Sequence, residues 1–316
     1  MKLVFMGTPD FALSTLKALL DSDAHEICLV VTQPDKPKGR GKKLLPPAVK
    51  QMALEHELRV IQPTTLKSNT DVYQALRACA ADAVIVVAYG KMIPSEMFPL
   101  ARHGFINVHA SLLPAFRGAA PINRAILNGC STTGVSIMRI DEGMDSGPVY
   151  LQSALEIAEN EDVIEVSYKL AHLGAENLLE CLYRIEYESL QAKEQDHTRA
   201  TLAPMLRKEE GNIDWSSPPR SIHNMIRGFV PWPCAYTFIE DKLLKLKKAH
   251  YMIKDHDYTF GTLFREGKDI KIACNGGFII PEILQLEGKK AIDNKAFACG
   301  LKQTDIILGK SEEIEL

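Results

Sequence analysis

The sequence predicts an α/β fold: a mostly parallel sheet flanked by helices, followed by a smaller all-β domain. Three observations predict it. Over the first half, apolar runs of strand length alternate with segments of helical period, the order that builds a parallel sheet. Periodicity then fades and polar residues dominate across "QAKEQDHTRATLAPMLR" (191–207), which reads as a linker. Beyond it, strands are closely spaced around turns such as "NGG" and "EGK", the pattern of a small barrel or sandwich. The expected division is a domain at 1–190, a linker at 191–207 and a second domain at 208–316.

"KLVFMG" reads as the first strand, and "PDFALSTLKALLDS" as a helix opened by Pro9 and Asp10. "EICLVVTQ" is a second strand, "PAVKQMALEHE" a helix and "LRVIQP" a short strand. After a helix near 69–79, "DAVIVVAYG" is apolar enough to be central and covered on both faces. The strand "GFINVHAS", the helix "APINRAILNG" and the strand "TGVSIMRID" follow. The turn "DEGMDSGPV" leads into "VYLQSALEI", and an amphipathic helix runs from about 161 to 187. The second domain opens with the helix "PRSIHNMIRGF" and continues as the strands "AYTFIE", "LLKLKKAHYMI", "DIKIAC" and "FIIPEILQLEG". Trp215 and Trp232 are expected to pack this domain.

Composition narrows the function classes. No apolar run approaches a membrane span, and the N-terminus "MKLVFMGTPDF" reads as a strand and turn rather than a secretory signal. Seven cysteines without a C-x-x-C pair disfavour a disulfide framework or zinc site and suit a reducing cytoplasm. The net charge of −3 does not suggest nucleic acid, but its distribution does. "KPKGRGKKLLPPAVK" (36–50) holds six Lys and Arg and no acid, and "KLLKLKKAH" (242–250) holds four Lys and no acid. Local patches of this kind engage phosphate even on a slightly acidic chain.

Ligands of open α/β sheets bind beyond the carboxyl ends of the strands. Four polar or turn-forming clusters fall there: "GTPDF", "AYGKMIP", "NVHASLLP" and "DEGMDSG". "GTPDF" lacks the glycine pattern of a dinucleotide site. Side chains alternate along a strand, so Asn107 and His109 share a face opposite Ile106, Val108 and Ala110. With Asp141, Glu142 and Asp145 downstream, such a set supplies an oxyanion donor, a proton-transfer group and its orienter. No activated protein nucleophile accompanies them, which implies direct transfer between two bound substrates.

"NVHASLLPAFRGAAP" with "DEGMDSG" resembles the signature of the folate-dependent formyltransferases. "VTQPDKPKGRGKKLLPPAVK" (31–50), "APMLRKEEGNIDW" and "IRGFVPWPCAY" are similar to the basic loop, linker and second-domain start of members that act on tRNA. The chain departs from that pattern at Leu202 and Met205, where the family has Tyr and Lys. The resemblance implies a Rossmann-like catalytic domain with an OB-like barrel behind it. It implies formyl transfer from 10-formyltetrahydrofolate to the α-amino group of methionine on initiator methionyl-tRNA, by a cytoplasmic monomer with no metal and no membrane attachment. Asn107, His109 and Asp145 match the catalytic residues. Tyr89, Gly90, Met92, Ile93, Ser111, Leu112, Leu113 and Pro114 match folate-binding segments. Lys38, Arg40, Lys42 and Lys43 of the basic loop, with Lys245, Lys247 and Lys248 of the second domain, are the expected tRNA contacts. Arg117 is open between binding an anion and a structural pairing. A sugar-nucleotide formyltransferase and a non-catalytic RNA-binding protein are the alternatives.

Overall fold

In the first half of the chain, strands and helices follow one another so that the most apolar strand is flanked on both edges. The computed structural model describes residues 1–38, 43–301, 303 and 305–309. They form two compact units: Met1–Pro121, Thr132–Glu156 and Ser167–Ala203 make the first, and Ile122–Ser131, Ile157–Val166 and the chain from Pro204 make the second.

The elements in chain order are β1 (Lys2–Gly7), α1 (Leu13–Leu20), β2 (Glu26–Val31), β3 (Lys36–Lys38), β4 (Lys43–Leu45), α2 (Ala48–Glu55), β5 (Val60–Ile61), α3 (Thr70–Cys79), β6 (Ala83–Val87), β7 (Phe105–His109), α4 (Pro121–Leu127), β8 (Thr132–Arg139), β9 (Val149–Glu156) and α5 (Val163–Tyr187). The main sheet has the order β5-β2-β1-β6-β7-β8-β9. It is parallel from β5 to β7 and antiparallel through β8 and β9. Every residue of β6 is buried, as its unbroken "AVIVV" requires between two parallel neighbours.

One face of β7 carries Phe105 into a core with Val4, Met6, Val84, Leu76 and Met97. The other face presents Val108 to α5 at Gly174, where a Cβ would stand 2.7 Å from a Val108 methyl. Glycine lets helix and strand meet this closely. The contact fixes which way β7 faces, and so which way Asn107 and His109 point.

The second unit contains α6 (Pro219–Gly228), β10 (Ala235–Ile239), β11 (Lys242–Ile253), β12 (Thr262–Glu266), β13 (Asp269–Cys274), β14 (Gly277–Leu286), β15 (Ile292–Asp293), α7 (Asn294–Gly300) and β16 (Ile306–Ile307). Its antiparallel sheet runs β10-β11-β14-β13-β12-β16. The Gly309 N–H donates to the Phe238 carbonyl at 3.0 Å, so the chain beyond β16 returns to β10 and nearly closes a barrel. Leu244, Leu246, Ile272, Ile279 and Trp215 fill it, and the Trp215 indole N–H donates to the Thr237 hydroxyl at 3.2 Å. Trp232 does not join them. It is 54% exposed, because it sits between two prolines in the turn after α6, where no strand carries it inward.

Among the described residues no helix is long and apolar enough to cross a membrane, and all seven cysteines are free thiols. Gly174→Val should lower the unfolding free energy by about 1–3 kcal/mol through overpacking. Urea unfolding followed by circular dichroism measures it, and an unchanged midpoint would contradict the close approach of α5 to β7.

Candidate active site

At the carboxyl end of β7, Asn107 pairs with Val86 of β6 and Met138 of β8, and His109 lies opposite Ser136. Asn107 is half-buried, and among the described residues nothing bonds its side-chain amide. His109 is buried, with Nε2 3.1 Å from the Phe116 carbonyl oxygen. A carbonyl only accepts, so Nε2 carries the proton. Nδ1 therefore faces the Asp145 carboxylate, with Oδ2 at 3.6 Å, too far for a direct hydrogen bond.

The turn after β7 is built from its own polar groups. Ser111 is fully buried and its hydroxyl donates to the Ala115 carbonyl at 2.6 Å. Ser136 donates to the Ser111 carbonyl and accepts the Leu113 N–H, while the Gln152 amide donates to the Leu113 carbonyl at 2.8 Å. Leu113 is buried, and Leu112 and Pro114 are partly exposed. Of the expected folate segment here, Ser111 is thus committed to shaping the turn.

Residues 200–203 run beside this turn. Thr201 accepts the Phe116 N–H on its hydroxyl and the Arg117 N–H on its carbonyl, both at 2.8 Å, and the Ala203 N–H donates to the Arg117 carbonyl at 2.7 Å. These bonds support Phe116 in a left-handed conformation, φ 59°, which an aromatic residue rarely adopts unaided.

Asp145 also has a left-handed backbone, φ 49°, which a short polar residue tolerates better. Its loop is braced by Asp141, whose carboxylate accepts the Ser146 hydroxyl at 2.8 Å and the Gly143 N–H at 3.1 Å. Gly147 passes so near the Arg139 carbonyl that a Cβ would lie 1.9 Å from its oxygen. Asp145 Oδ2 accepts the Gly118 N–H at 2.8 Å. Of the three acids, then, Asp145 meets the imidazole, Asp141 shapes the loop and Glu142 is exposed.

Arg117 is buried, and among the described residues it has no carboxylate partner: its guanidinium donates to the Gln195 side-chain oxygen at 2.7 and 3.2 Å and reaches His197 Nδ1 at 2.9 Å. Gln195 is a residue that sequence reasoning misses, since its only signal is a polar side chain within a polar stretch.

In the 88–94 segment, Tyr89 is buried and its carbonyl accepts from the Thr8 hydroxyl and the Gln33 amide. Burial pushes its phenol up to about 12, and its hydroxyl has no partner among the described residues. Gly90 has φ 79° and its Cβ position would crowd the Gln33 amide. Ile93 packs in the core, whereas Met92 is 73% exposed. The four residues thus divide into a buried pair, a backbone turn and one side chain open to a ligand.

For the basic loop, Arg40 and Lys42 lie outside the described residues, and Lys38 and Lys43 form the last backbone pair of the β3–β4 hairpin, opposite its open end at Lys36 and Leu45. Its base is anchored: Lys50 pairs with Asp35 at 2.9 Å, and hydrogen bonds from Gln62 and Lys50 hold the Asp35 carboxyl below the usual range. In β11, Leu244 and Leu246 point into the barrel. Strict alternation would send Lys248 inward with them. A bulge between Leu246 and Ala249 instead leaves Lys247 and Lys248 both outside and returns Ala249 to the core. Lys248 pairs with Glu282 at 3.3 Å, and Lys245 is part-exposed. Among the described residues no cluster of three or more His, Cys, Asp and Glu is arranged to hold a metal.

Residues 1–182 match the family described as formyl transferase, and residues 205–302 match the formyl transferase C-terminal domain. The methionyl-tRNA formyltransferase of Geobacter sulfurreducens is 39% identical over 317 positions, covering 100% of this chain and 99% of that one. Its counterpart from Geobacter metallireducens is 42% identical, covering 96% of each. An N-formyltransferase from Helicobacter canadensis, solved with folinic acid and dTDP-3-aminofucose, superposes with a TM-score of 0.65 at 19% identity, over 89% of this chain and 98% of that one. At that identity the likeness is one of fold.

Tyr89→Phe should leave thermal stability unchanged, because the hydroxyl it removes has no hydrogen-bond partner among the described residues. A loss above about 1 kcal/mol by differential scanning calorimetry would reveal a partner for it.

Proposed function

The chain belongs to the formyltransferase family, and on that premise we propose that it moves the formyl group of 10-formyltetrahydrofolate to the α-amino group of methionine on initiator methionyl-tRNA, as a cytoplasmic monomer. What carries the proposal is an amide, unengaged among the described residues, that shares one strand face with an imidazole that a carboxylate approaches to 3.6 Å. Relatives named methionyl-tRNA formyltransferase align over 96–100% of the chain. The sugar-nucleotide alternative has fold-level likeness alone in its favour.

In this reading the neutral amine attacks the formyl carbon, opening the C=O bond to an oxyanion. The Asn107 amide donates to that oxygen, and so does His109 Nδ1 when the ring carries a second proton beside the one on Nε2; one such donor is worth about 3–4 kcal/mol of barrier. Asp145 sits close enough to Nδ1 to contact the same reacting atoms. It accepts the proton that the amine sheds and returns it, through His109 or a water, to the folate nitrogen as the C–N bond breaks. Proton and electron pair are conserved, and tetrahydrofolate leaves neutral at that nitrogen.

The pterin lies near Met92 and the backbone of Tyr89 and Gly90, with Leu112 and Pro114 along its edge; Ile93, Leu113 and Ser111 hold those segments in place. The basic loop, through Lys38, Arg40, Lys42 and Lys43, meets tRNA phosphates, and Lys245 and Lys247 offer the barrel's contact. Lys248 would have to exchange Glu282 for phosphate.

The direct test offers purified protein and 10-formyltetrahydrofolate either methionine-charged initiator tRNA or a 4-amino-sugar nucleotide. Formylation of the tRNA alone is expected, and formylation of the sugar alone would replace the acceptor. His109→Ala should lower kcat by at least about 100-fold with the Kd for tRNA unchanged; a wild-type rate would remove His109 from the mechanism. Replacing Arg40, Lys42 and Lys43 together with Ala should raise the KM for tRNA and flatten its salt dependence. The log–log slope should fall by about 0.7–0.9 for each phosphate that the loop ceases to neutralise. An unchanged slope would show the loop to be merely solvated.

A further inference from the structure

The Asp145 carboxylate is only as well placed as the loop that carries it, and one buried side chain holds that loop from outside. Gln195 is 8% exposed. Its amide nitrogen donates to the Asp145 carbonyl at 2.9 Å and to the Gly147 carbonyl at 2.7 Å. Its amide oxygen takes two N–H groups of Arg117, at 3.2 and 2.7 Å. A side-chain amide has two donors and one two-lone-pair acceptor, so every hydrogen-bonding position of Gln195 is filled. Arg117 belongs to the turn that offers its Phe116 carbonyl to His109 and its Gly118 N–H to Asp145. A closed ring results: Asp145 side chain to Gly118, along the backbone to Arg117, across to Gln195, and back to the Asp145 carbonyl.

We infer that Gln195 is a positioning residue of the formyl-transfer site, which holds the left-handed Asp145 backbone so that its carboxylate faces His109. The inference rests on the reading of Asp145 as the proton acceptor. Asp141 braces the loop at Gly143 and Ser146, but among the described residues the Asp145 carbonyl is held by Gln195, and a left-handed aspartate without its carbonyl anchored has extended conformations within easy reach. Such a rearrangement would carry the carboxylate away from Nδ1 without disturbing the folate or tRNA surfaces. The expected signature is therefore a loss in kcat, not in KM.

The test is a double-mutant cycle on the full chain: wild type, Gln195→Ala, Asp145→Asn and the combined variant, each measured for kcat, both KM values and Tm. Gln195→Ala should lower kcat about 10- to 100-fold with KM within about threefold of wild type. In the Asp145→Asn background the same change should cost less than about threefold, because the carboxylate it positions is already gone. Gln195→Glu serves if the alanine variant folds poorly. It keeps the acceptor for Arg117 and the side-chain volume, but its oxygens cannot donate to the two carbonyls, so it should show the same kcat loss. A wild-type kcat, a loss confined to KM, or losses that multiply in the combined variant would each overturn the inference. A wild-type kcat in Asp145→Asn alone would overturn instead the role of Asp145, whatever Gln195 does.

Discussion

One hydrogen bond, from the Gly118 N–H to Asp145 Oδ2 at 2.8 Å, joins the two loops that make the site. For it to form, the turn after β7 must bring Gly118 toward the loop after β8, and both must take backbone shapes that ordinary chains avoid. Phe116 and Asp145 are left-handed. Single left-handed non-glycine residues each cost of order 1–3 kcal/mol. The surrounding bonds offset that: the Ser111 and Asp141 side chains inside each loop, and Thr201, Ala203 and Gln195 from the segment beside them. The sheet supplies a platform, and these loops supply the geometry.

The same economy appears in the second unit, where a local departure from regular structure sets which side chains face outward. A strand of alternating Leu and Lys can present cations on one face only, every second residue. The bulge in β11 breaks the alternation and sets Lys247 beside Lys248 on the outside while Leu246 and Ala249 keep the barrel filled. Charge density along the barrel wall rises without an unpaired ammonium being buried, which would cost several kcal/mol.

How much of this was legible in the sequence follows from the range of the interactions involved. The strands β1, β2, β6 and β7 announce themselves through runs of apolar residues, and Asn107 and His109 share a face because strand periodicity is two. The pairing of Asp145 with that face was legible only through the family's motif, since thirty-six positions of chain separate it from His109. Which acid would reach the imidazole was decided by loop closure: Asp141, equally acidic, turned out to brace Ser146. Gln195 lies fifty residues beyond Asp145 and gave no pattern at all. Short elements such as β12, β16 and α7 were illegible for another reason: two to seven residues are too few to establish a period. Trp232 fails the expectation of burial because hydrophobicity says nothing about where flanking prolines send a side chain.

The bonds from 195–203 have a consequence for the order in which the protein is made. The last strand of the main sheet ends at Glu156, but the residues that fix the turn after β7 extend to Ala203. During synthesis at about 5–20 residues per second, that interval is roughly 2–10 s. Throughout it, a nascent chain can hold its parallel strands together while the turn after β7 and the loop after β8 lack their outer anchors. The nascent chain therefore carries its sheet before it carries the anchors of these loops, and the proposed site is completed by the segment that ends the first unit rather than by the strands that display its residues.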